Sequence, residues 1–178
     1  VAGEKRDSLT PSGAMARGIA FVHQELNPFT NLDVTANILL GREKTKGLFR
    51  MLDRQAMEDE VRPILDMLAA PFGPSDPVSG LSLAEQQLLE IARALSIGAR
   101  LVIMDEPTSS LTLSETRRLL DVIRQLQKRG VAVLFISHRL NEVEEISDRV
   151  VVLRDGRNAG ELPAGGITRD KMISMMIG

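Results

Sequence analysis

Two short apolar segments on either side of an amphipathic stretch constrain the fold of this chain more than any other feature. Residues Leu101–Met104 and Val131–Ile136 are apolar at every position. Such runs are typical of parallel strands covered on both faces, because a half-exposed strand alternates apolar and polar residues. Between them, Thr112 and Glu115 fit a capping box that begins a helix, and Gly130 ends it. The pattern predicts a strand–helix–strand unit of a parallel sheet, with a right-handed crossover.

A mostly helical segment, residues 26–96, separates this unit from a short apolar strand at Gly18–Val22. Pro63 lies within the longest of its helical patterns and predicts a kink or a break into two pieces. After the second apolar run, two extended segments flank Asp155 and Gly156, which predicts a hairpin.

Composition excludes several classes of protein. The chain has 178 residues, no Cys and a formal net charge of −2. Without Cys there is neither a disulfide framework nor a thiolate metal site, and no basic cluster supports nucleic-acid binding. No apolar run approaches the ~20 residues that span a bilayer. Because the chain begins with Val1 rather than Met, we expect its start to be missing or trimmed.

Polar residues suited to phosphate or metal chemistry follow the predicted strands. Asp105 and Glu106 come directly after the first apolar run, where open α/β sheets place ligands. Adjacent side chains on an extended backbone point to opposite sides, so one carboxylate can serve a Mg²⁺ shell while the other faces a water. His138 and Gln24 also follow strands. Taken singly, each of these residues is equally or better explained as an exposed residue at a strand end.

The helix that begins at Ser82 is a further candidate site. Ser82 and Glu85 fit a capping box, with Leu83 and Ala84 between them. A capped helix N-terminus presents free N–H groups and a positive dipole end, and both suit phosphate. On the cap alone, a helix start without a ligand is the better interpretation.

The order and spacing of these motifs resemble the ABC ATPase family along essentially the whole chain. Gln24 resembles the Q-loop, residues 81–87 the signature motif, Asp105 and Glu106 the Walker B Asp and catalytic Glu, residues 109–112 the D-loop, and His138 the switch His. The resemblance implies an α/β fold, a RecA-like P-loop NTPase core with a parallel sheet flanked by helices. Residues 1–25 and 97–178 would form this core, with a C-terminal hairpin and helix. Residues 26–96 would form an inserted helical signature subdomain.

Departures from the usual signature motif and D-loop point to one subgroup of the ABC ATPase family. The signature is usually Leu-Ser-Gly-Gly-Gln, but residues 81–85 read Leu-Ser-Leu-Ala-Glu, and the D-loop ends in Thr112 rather than Asp. Together with residues 23–27, 40–43 and 175–178, these variants resemble the first half of tandem ATP-binding subunits of bacterial monosaccharide importers of the ribose, galactose and xylose type. Leu83 and Ala84 add Cβ atoms where Gly allows close approach, so phosphate contact would rest more on Ser82.

No phosphate loop of the form Gly-x-x-x-x-Gly-Lys-Ser/Thr (Walker A) occurs in the chain. The family places this loop upstream of the strand that leads to Gln24. We therefore expect an N-terminally truncated fragment from which the P-loop strand and helix are missing. Because that loop supplies most phosphate contacts, we expect the chain alone to bind ATP very weakly and to be inactive.

The resemblance implies roles for the catalytic and metal-binding residues of an ATPase that hydrolyses MgATP to drive sugar import. Glu106 would polarise the attacking water, and His138 would contact the γ-phosphate. Asp105 would hold Mg²⁺ through its water shell. Gln24 would lie near Mg²⁺, partly through water, and couple the site to a membrane permease.

The resemblance also implies nucleotide contacts and partners. Ser82, Leu83, Ala84 and Glu85 would face ATP bound on a partner half, and Ser110 would also contact nucleotide. The partners would be transmembrane permease subunits, a second ATPase half or another copy and, indirectly, a sugar-binding protein, with no nucleic acid. The location would be cytoplasmic, peripheral on the inner face of the cell membrane.

Two other functions stay open. One is a soluble ABC-type ATPase acting on nucleic acid or ribosomes. Such a protein is expected to have basic arms, zinc-binding Cys pairs or a long coiled coil, and the sequence has none of these. A non-catalytic truncated module that docks a permease or a partner ATPase half is favoured, for the chain as given, by the absent phosphate loop.

Overall fold

A small parallel sheet and the helices around it make up most of the structure. The computed structural model describes residues 10–23 and 26–177, so Gln24 lies outside the described residues. The strands are β1 (Ile19–Val22), β2 (Thr45–Lys46), β3 (Met51–Leu52), β4 (Leu101–Asp105), β5 (Ala132–Ile136), β6 (Arg149–Arg154) and β7 (Arg157–Pro163). The helices are α1 (Pro11–Met15), α2 (Val34–Ile38), α3 (Arg54–Met67), α4 (Leu83–Ser96), α5 (Leu113–Lys128), α6 (Leu140–Ile146) and α7 (Arg169–Ile177). None of the helices within these ranges is long and apolar enough to cross a bilayer.

The predicted strand–helix–strand unit is confirmed. Strand β4 lies between β1 and β5 and runs parallel to both. The register pairs Val22 with Met104, and Asp105 with Ile136. Because parallel strands end at one edge of a sheet, the residues that follow β4 and β5 lie close together.

One face of this sheet is covered by helices and the other is partly open. Val102 and Met104 are 0% exposed, whereas Leu134 and Ile136 on β5 are 50% and 43% exposed. Successive side chains of a strand point to opposite faces, so the exposed positions belong to a single face. In the described part of the chain, the prediction that the strands are buried on both faces is therefore wrong for β5.

Helix α3 runs unbroken through Pro63, so the predicted division into two pieces does not occur. Pro63 itself is exposed. Met57, Val61 and Leu65 are buried on the core side of the same helix. Their burial stabilises the helix despite the backbone hydrogen bond that Pro63 cannot donate, because packing supplies most helix stability in proteins.

The turn and cap predictions also agree with the structure. Capping boxes begin α4 at Ser82 and α5 at Thr112. The β6–β7 hairpin turns at Asp155 and Gly156, whose φ angles are 52° and 72°. Positive φ at both turn residues matches the two-residue turn that suits the twist of paired strands.

A single buried cluster extends from the sheet into the helical segment. It contains Val102 and Met104 of β4, Val34 of α2, Val61 of α3 and Ile91 of α4. The division into an ATPase core and a helical subdomain at residues 26–96 stays a prediction, since the buried side chains of both parts are continuous.

Replacing a leucine by alanine should cost much more stability at a buried position than on the partly open face of the sheet. Leu126 on α5 is 0% exposed and Leu134 is 50% exposed. We expect Leu126→Ala to lower the free energy of unfolding by about 2–5 kcal/mol, because it leaves a cavity. Leu134→Ala should cost about 1 kcal/mol or less, since half of that side chain is already in water. Urea unfolding of both variants measures the difference, and equal losses would contradict the assignment of the open face.

The Glu115 carboxylate should make part of the stability depend on pH. Hydrogen bonds from the Thr112 side chain, and then from its backbone N–H, hold the pKa of Glu115 below its ordinary value. A lowered pKa in the folded state stabilises the fold above the unfolded pKa, and this contribution disappears as the pH falls through the folded pKa. Glu115→Gln keeps the acceptor and removes the charge.

We therefore expect this variant to be less stable than the wild type at neutral pH. The gap in melting temperature should close as the pH falls below about 4.3, the ordinary Glu value. A gap that is constant from neutral to acidic pH would show that the charge contributes nothing.

Candidate functional site

The carboxyl edge of the sheet brings Glu106 and His138 into contact. Glu106 directly follows β4, and His138 comes two residues after β5. His138 Nδ1 lies 2.8 Å from both oxygens of the Glu106 carboxylate, and Oε1 meets the geometry of a hydrogen bond. An ionised carboxylate can only accept, so the proton of this bond is on Nδ1. The Nε2 atom then lies on the far side of a ring whose side chain is 69% exposed.

The second carboxylate oxygen of Glu106, Oε2, also lies 2.8 Å from His138 Nδ1, but it does not meet the geometry of a hydrogen bond. Oε2 is buried and has no hydrogen-bond partner among the residues that the structure describes. A buried acceptor without a partner is costly, and at functional sites such atoms mark the place of a water or a ligand. A carboxylate at this position could serve as a general base if a water reached it.

The backbone of Glu106 adopts an unusual conformation. Its φ angle is 48°, in the left-handed region that non-glycine residues rarely occupy. The N–H of Glu106 donates to the carbonyl oxygen of Ile136 at 2.9 Å, and its carbonyl oxygen accepts from Ser109 N–H at 3.1 Å. These bonds hold a conformation that costs of order 1–3 kcal/mol. Glu106 is therefore not extended, so the expected alternation of Asp105 and Glu106 does not describe their relative orientation.

Asp105 is the last residue of β4 and is partly exposed. By strand alternation it shares the partly open sheet face with Ile103. No group of three or more His, Asp or Glu side chains in the described ranges is placed to hold a metal ion. Asp105 offers a single carboxylate, and Mg²⁺ can bind through one or two carboxylates when it keeps several waters and binds the phosphates of a substrate.

The start of α4 and residues of α5 line the same cavity. Ser82 Oγ accepts from Glu85 N–H at 3.4 Å, and Glu85 Oε2 accepts from Ser82 N–H at 2.7 Å. Ser82 and Leu83 are exposed, and Ala84 is partly buried. Ser82, Ala84 and Glu85 line a cavity of 260 Å³ together with Leu111. Ser110, the neighbour of Leu111, is exposed.

The sequence-predicted residues thus fall into two groups. Glu106 and His138 are joined at the sheet edge, with Asp105 beside them in sequence. Among the described residues, no hydrogen bond connects this pair to Ser82 at the start of α4.

The structure adds three residues that sequence reasoning missed. Thr108 Oγ1 donates to Glu142 Oε2 at 2.6 Å, and Arg139 Nη1 donates to Glu142 Oε1 at 3.3 Å. Arg139 Nη2 also donates to the carbonyl oxygen of Ser109 at 3.1 Å. The spacing of Arg139 and Glu142 is that of an ion pair on one helix face and could have suggested this contact. Nothing near Thr108 in the sequence indicates its partner.

Comparison with known proteins places the chain in a family. A model of the ABC transporter family matches residues 3–109. A ribose import ATP-binding protein of Burkholderia ambifaria is 46% identical over 178 residues, which cover 99% of this chain and 34% of that protein. A xylose import ATP-binding protein of Yersinia pseudotuberculosis is 47% identical over 162 residues, which cover 91% of this chain and 31% of that protein. The chain therefore spans about a third of the length of these relatives.

Solved structures show the same fold. A nucleotide-free ATP-binding cassette from an ABC transporter superposes with a TM-score of 0.76 at 21% identity, covering 94% of this chain and 72% of that one. The predicted α/β, RecA-like fold class is thereby confirmed. The family model covers more than half of the chain and includes Asp105 and Glu106. The chain belongs to the ABC transporter family.

Proposed function

We propose that this chain is part of an ATP-binding subunit that energises the import of a sugar by hydrolysing ATP. The contact between Glu106 and His138 at the carboxyl edge of the sheet is the observation that carries the proposal. The names of the relatives, a ribose import and a xylose import ATP-binding protein, support the substrate class.

Glu106 activates the attacking water in this proposal. His138 engages the carboxylate, with Nδ1 2.8 Å from each of its oxygens, and so fixes the side chain at the edge of the sheet. Burial strengthens that interaction, because the local dielectric is lower than in bulk water. The strained backbone of Glu106 positions the group before substrate arrives.

His138 contacts the γ-phosphate through Nε2. The carboxylate fixes Nδ1 as the proton-bearing atom, so a neutral ring presents an acceptor at Nε2 and a protonated ring presents a donor there. Contact with a phosphate oxygen requires the donor form at Nε2.

Asp105 holds Mg²⁺ through its water shell, and Gln24 is proposed as a second, partly water-mediated ligand. When bound, Mg²⁺ neutralises charge on the phosphate oxygens. Asp105 is partly exposed at the end of a buried strand, where a carboxylate can reach a solvated ion. Gln24 is also proposed to couple the site to a permease.

The start of α4 serves a second nucleotide site in this proposal. Ser82, Leu83, Ala84 and Glu85 face ATP bound on a second ATPase half or another copy, and Ser110 contacts nucleotide from the neighbouring segment. The exposure of Ser82 and Leu83 at a helix N-terminus supports this role, since it leaves the Ser82 hydroxyl and the first N–H groups accessible.

The proposed assembly contains transmembrane permease subunits and, indirectly, a sugar-binding protein. The subunit would lie on the cytoplasmic side of the cell membrane, bound to the permease. The names of the relatives, as import ATP-binding proteins, support this arrangement.

The proposal predicts that Glu106→Gln, made in a complete import ATP-binding protein that carries this chain, abolishes turnover but leaves ATP binding intact. The amide keeps the shape of the side chain and cannot take a proton. Removal of one well-placed electrostatic group typically lowers the rate ~10²–10³-fold. Phosphate release under saturating ATP and nucleotide binding by equilibrium dialysis measure the two effects.

A matched control is Glu144→Gln on α6, which makes the same chemical change at an exposed carboxylate. That variant should hydrolyse ATP at the wild-type rate. If Glu106→Gln hydrolyses ATP as fast as Glu144→Gln does, Glu106 does not activate the water.

A further inference from the structure

Two segments that follow neighbouring strands are joined side by side by hydrogen bonds. Residues 106–109 follow β4, and residues 136–142 include the end of β5 and the start of α6. Nearest the sheet, Glu106 N–H donates to Ile136 O at 2.9 Å, and His138 Nδ1 donates to Glu106 Oε1 at 2.8 Å. Further along, Arg139 Nη2 donates to Ser109 O at 3.1 Å, and Thr108 Oγ1 donates to Glu142 Oε2 at 2.6 Å.

The last of these contacts is the most buried. Thr108 is 0% exposed and Glu142 is 9% exposed, whereas the His138 side chain is 69% exposed. Hydrogen bonds to a charged group are stronger than those between neutral groups, and the loss of one partner of a buried charge is strongly destabilising. The buried contact between Thr108 and Glu142 therefore resists separation of the two segments more strongly than the exposed contact of His138.

Both oxygens of the Glu142 carboxylate are used. Oε2 accepts from Thr108, and Oε1 accepts from Arg139 Nη1 at 3.3 Å. Because Arg139 also donates to Ser109 O, Glu142 reaches the segment after β4 by two routes, one direct and one through Arg139. Arg139 is the residue directly after His138, so this network also restrains the backbone that carries the imidazole.

We propose that Glu142 is a positioning residue, which acts through Thr108 and Arg139 to hold the His138 imidazole against the Glu106 carboxylate. An exposed imidazole has few contacts of its own, so the backbone that carries it decides where it lies. The significance of this network for hydrolysis rests on the proposed function, but the positioning itself is a property of the folded chain without nucleotide.

Nuclear magnetic resonance of the imidazoles in the isotope-labelled 178-residue chain tests the proposal. The chain has two histidines, so His138 can be followed beside His23, whose ring lies 4.4 Å from that of Phe21 on β1. Spectra are recorded without nucleotide at a pH of about 8, above the ordinary His pKa. Glu106→Ala gives the His138 resonances of a ring without its carboxylate partner.

Thr108→Val and Glu142→Gln should each move the His138 resonances most of the way to those of Glu106→Ala. Thr108→Ser keeps the hydroxyl and should restore the wild-type positions. Thr116→Val is the matched control, since Thr116 is 5% exposed and its hydroxyl has no hydrogen-bond partner among the described residues. It should leave His138 unchanged, and His23 should stay unchanged in every variant.

A merely structural role gives a different result. Thr108→Val would then lower the melting temperature while the His138 resonances stayed at their wild-type positions, and this would overturn the proposal. If Thr108→Val does not fold, Arg139→Gln makes the same comparison at a side chain that is 34% exposed. Unchanged His138 resonances in Arg139→Gln would also overturn it. These outcomes are independent of the Glu106→Gln rate, so failure of the positioning network and failure of the ATPase proposal can be told apart.

Discussion

The parallel pairing of β4 with β5 is the constraint on which the candidate site depends. Its register ends with Asp105 opposite Ile136, and the next bond, from Glu106 N–H to Ile136 O, continues the pairing beyond the strand. Parallel strands end at the same edge of a sheet, so Glu106 and His138, which follow β4 and β5, are brought close together by the strand pairing itself. A shift of the register by one residue would turn each side chain to the opposite face and separate Glu106 from His138.

At this edge of the sheet, the candidate functional residues and the buried polar residues next to them have different roles. The candidate groups are the more exposed ones, since the His138 side chain is 69% exposed and the Glu106 side chain is 22% exposed. Thr108 and Glu142 are more buried, and the Glu142 carboxylate accepts from Thr108 through one oxygen and from Arg139 through the other. Such a satisfied polar network is rigid, which allows the strained Glu106 backbone to persist. Under the proposed function, preorganisation of this kind would lower the cost of aligning a water with a phosphate.

Much of the fold could be predicted from local patterns, and the exceptions have physical reasons. The capping boxes at Ser82 and Thr112 and the turn at Asp155 depend on neighbours within three residues, and the structure has all of them. Pro63 predicted a kink or a break, and the break does not occur because the buried side chains of α3 stabilise a continuous helix. The apolar runs predicted strands correctly, but they could not show that Leu134 is half exposed. In a run that is apolar at every position, the pattern does not distinguish one face of the sheet from the other.

By itself, the sequence determined the strand–helix–strand unit, the helix starts and the candidates Asp105, Glu106 and His138, since each depends on local propensity or on its position after an apolar run. Only the tertiary structure decided that Glu106 has a positive φ, that its carboxylate meets His138, and that Glu142 is bound to Thr108. Thr108 and Glu142 are 34 residues apart. Contacts over such distances are made by the pairing of strands and the packing of helices, which no local pattern in the sequence records.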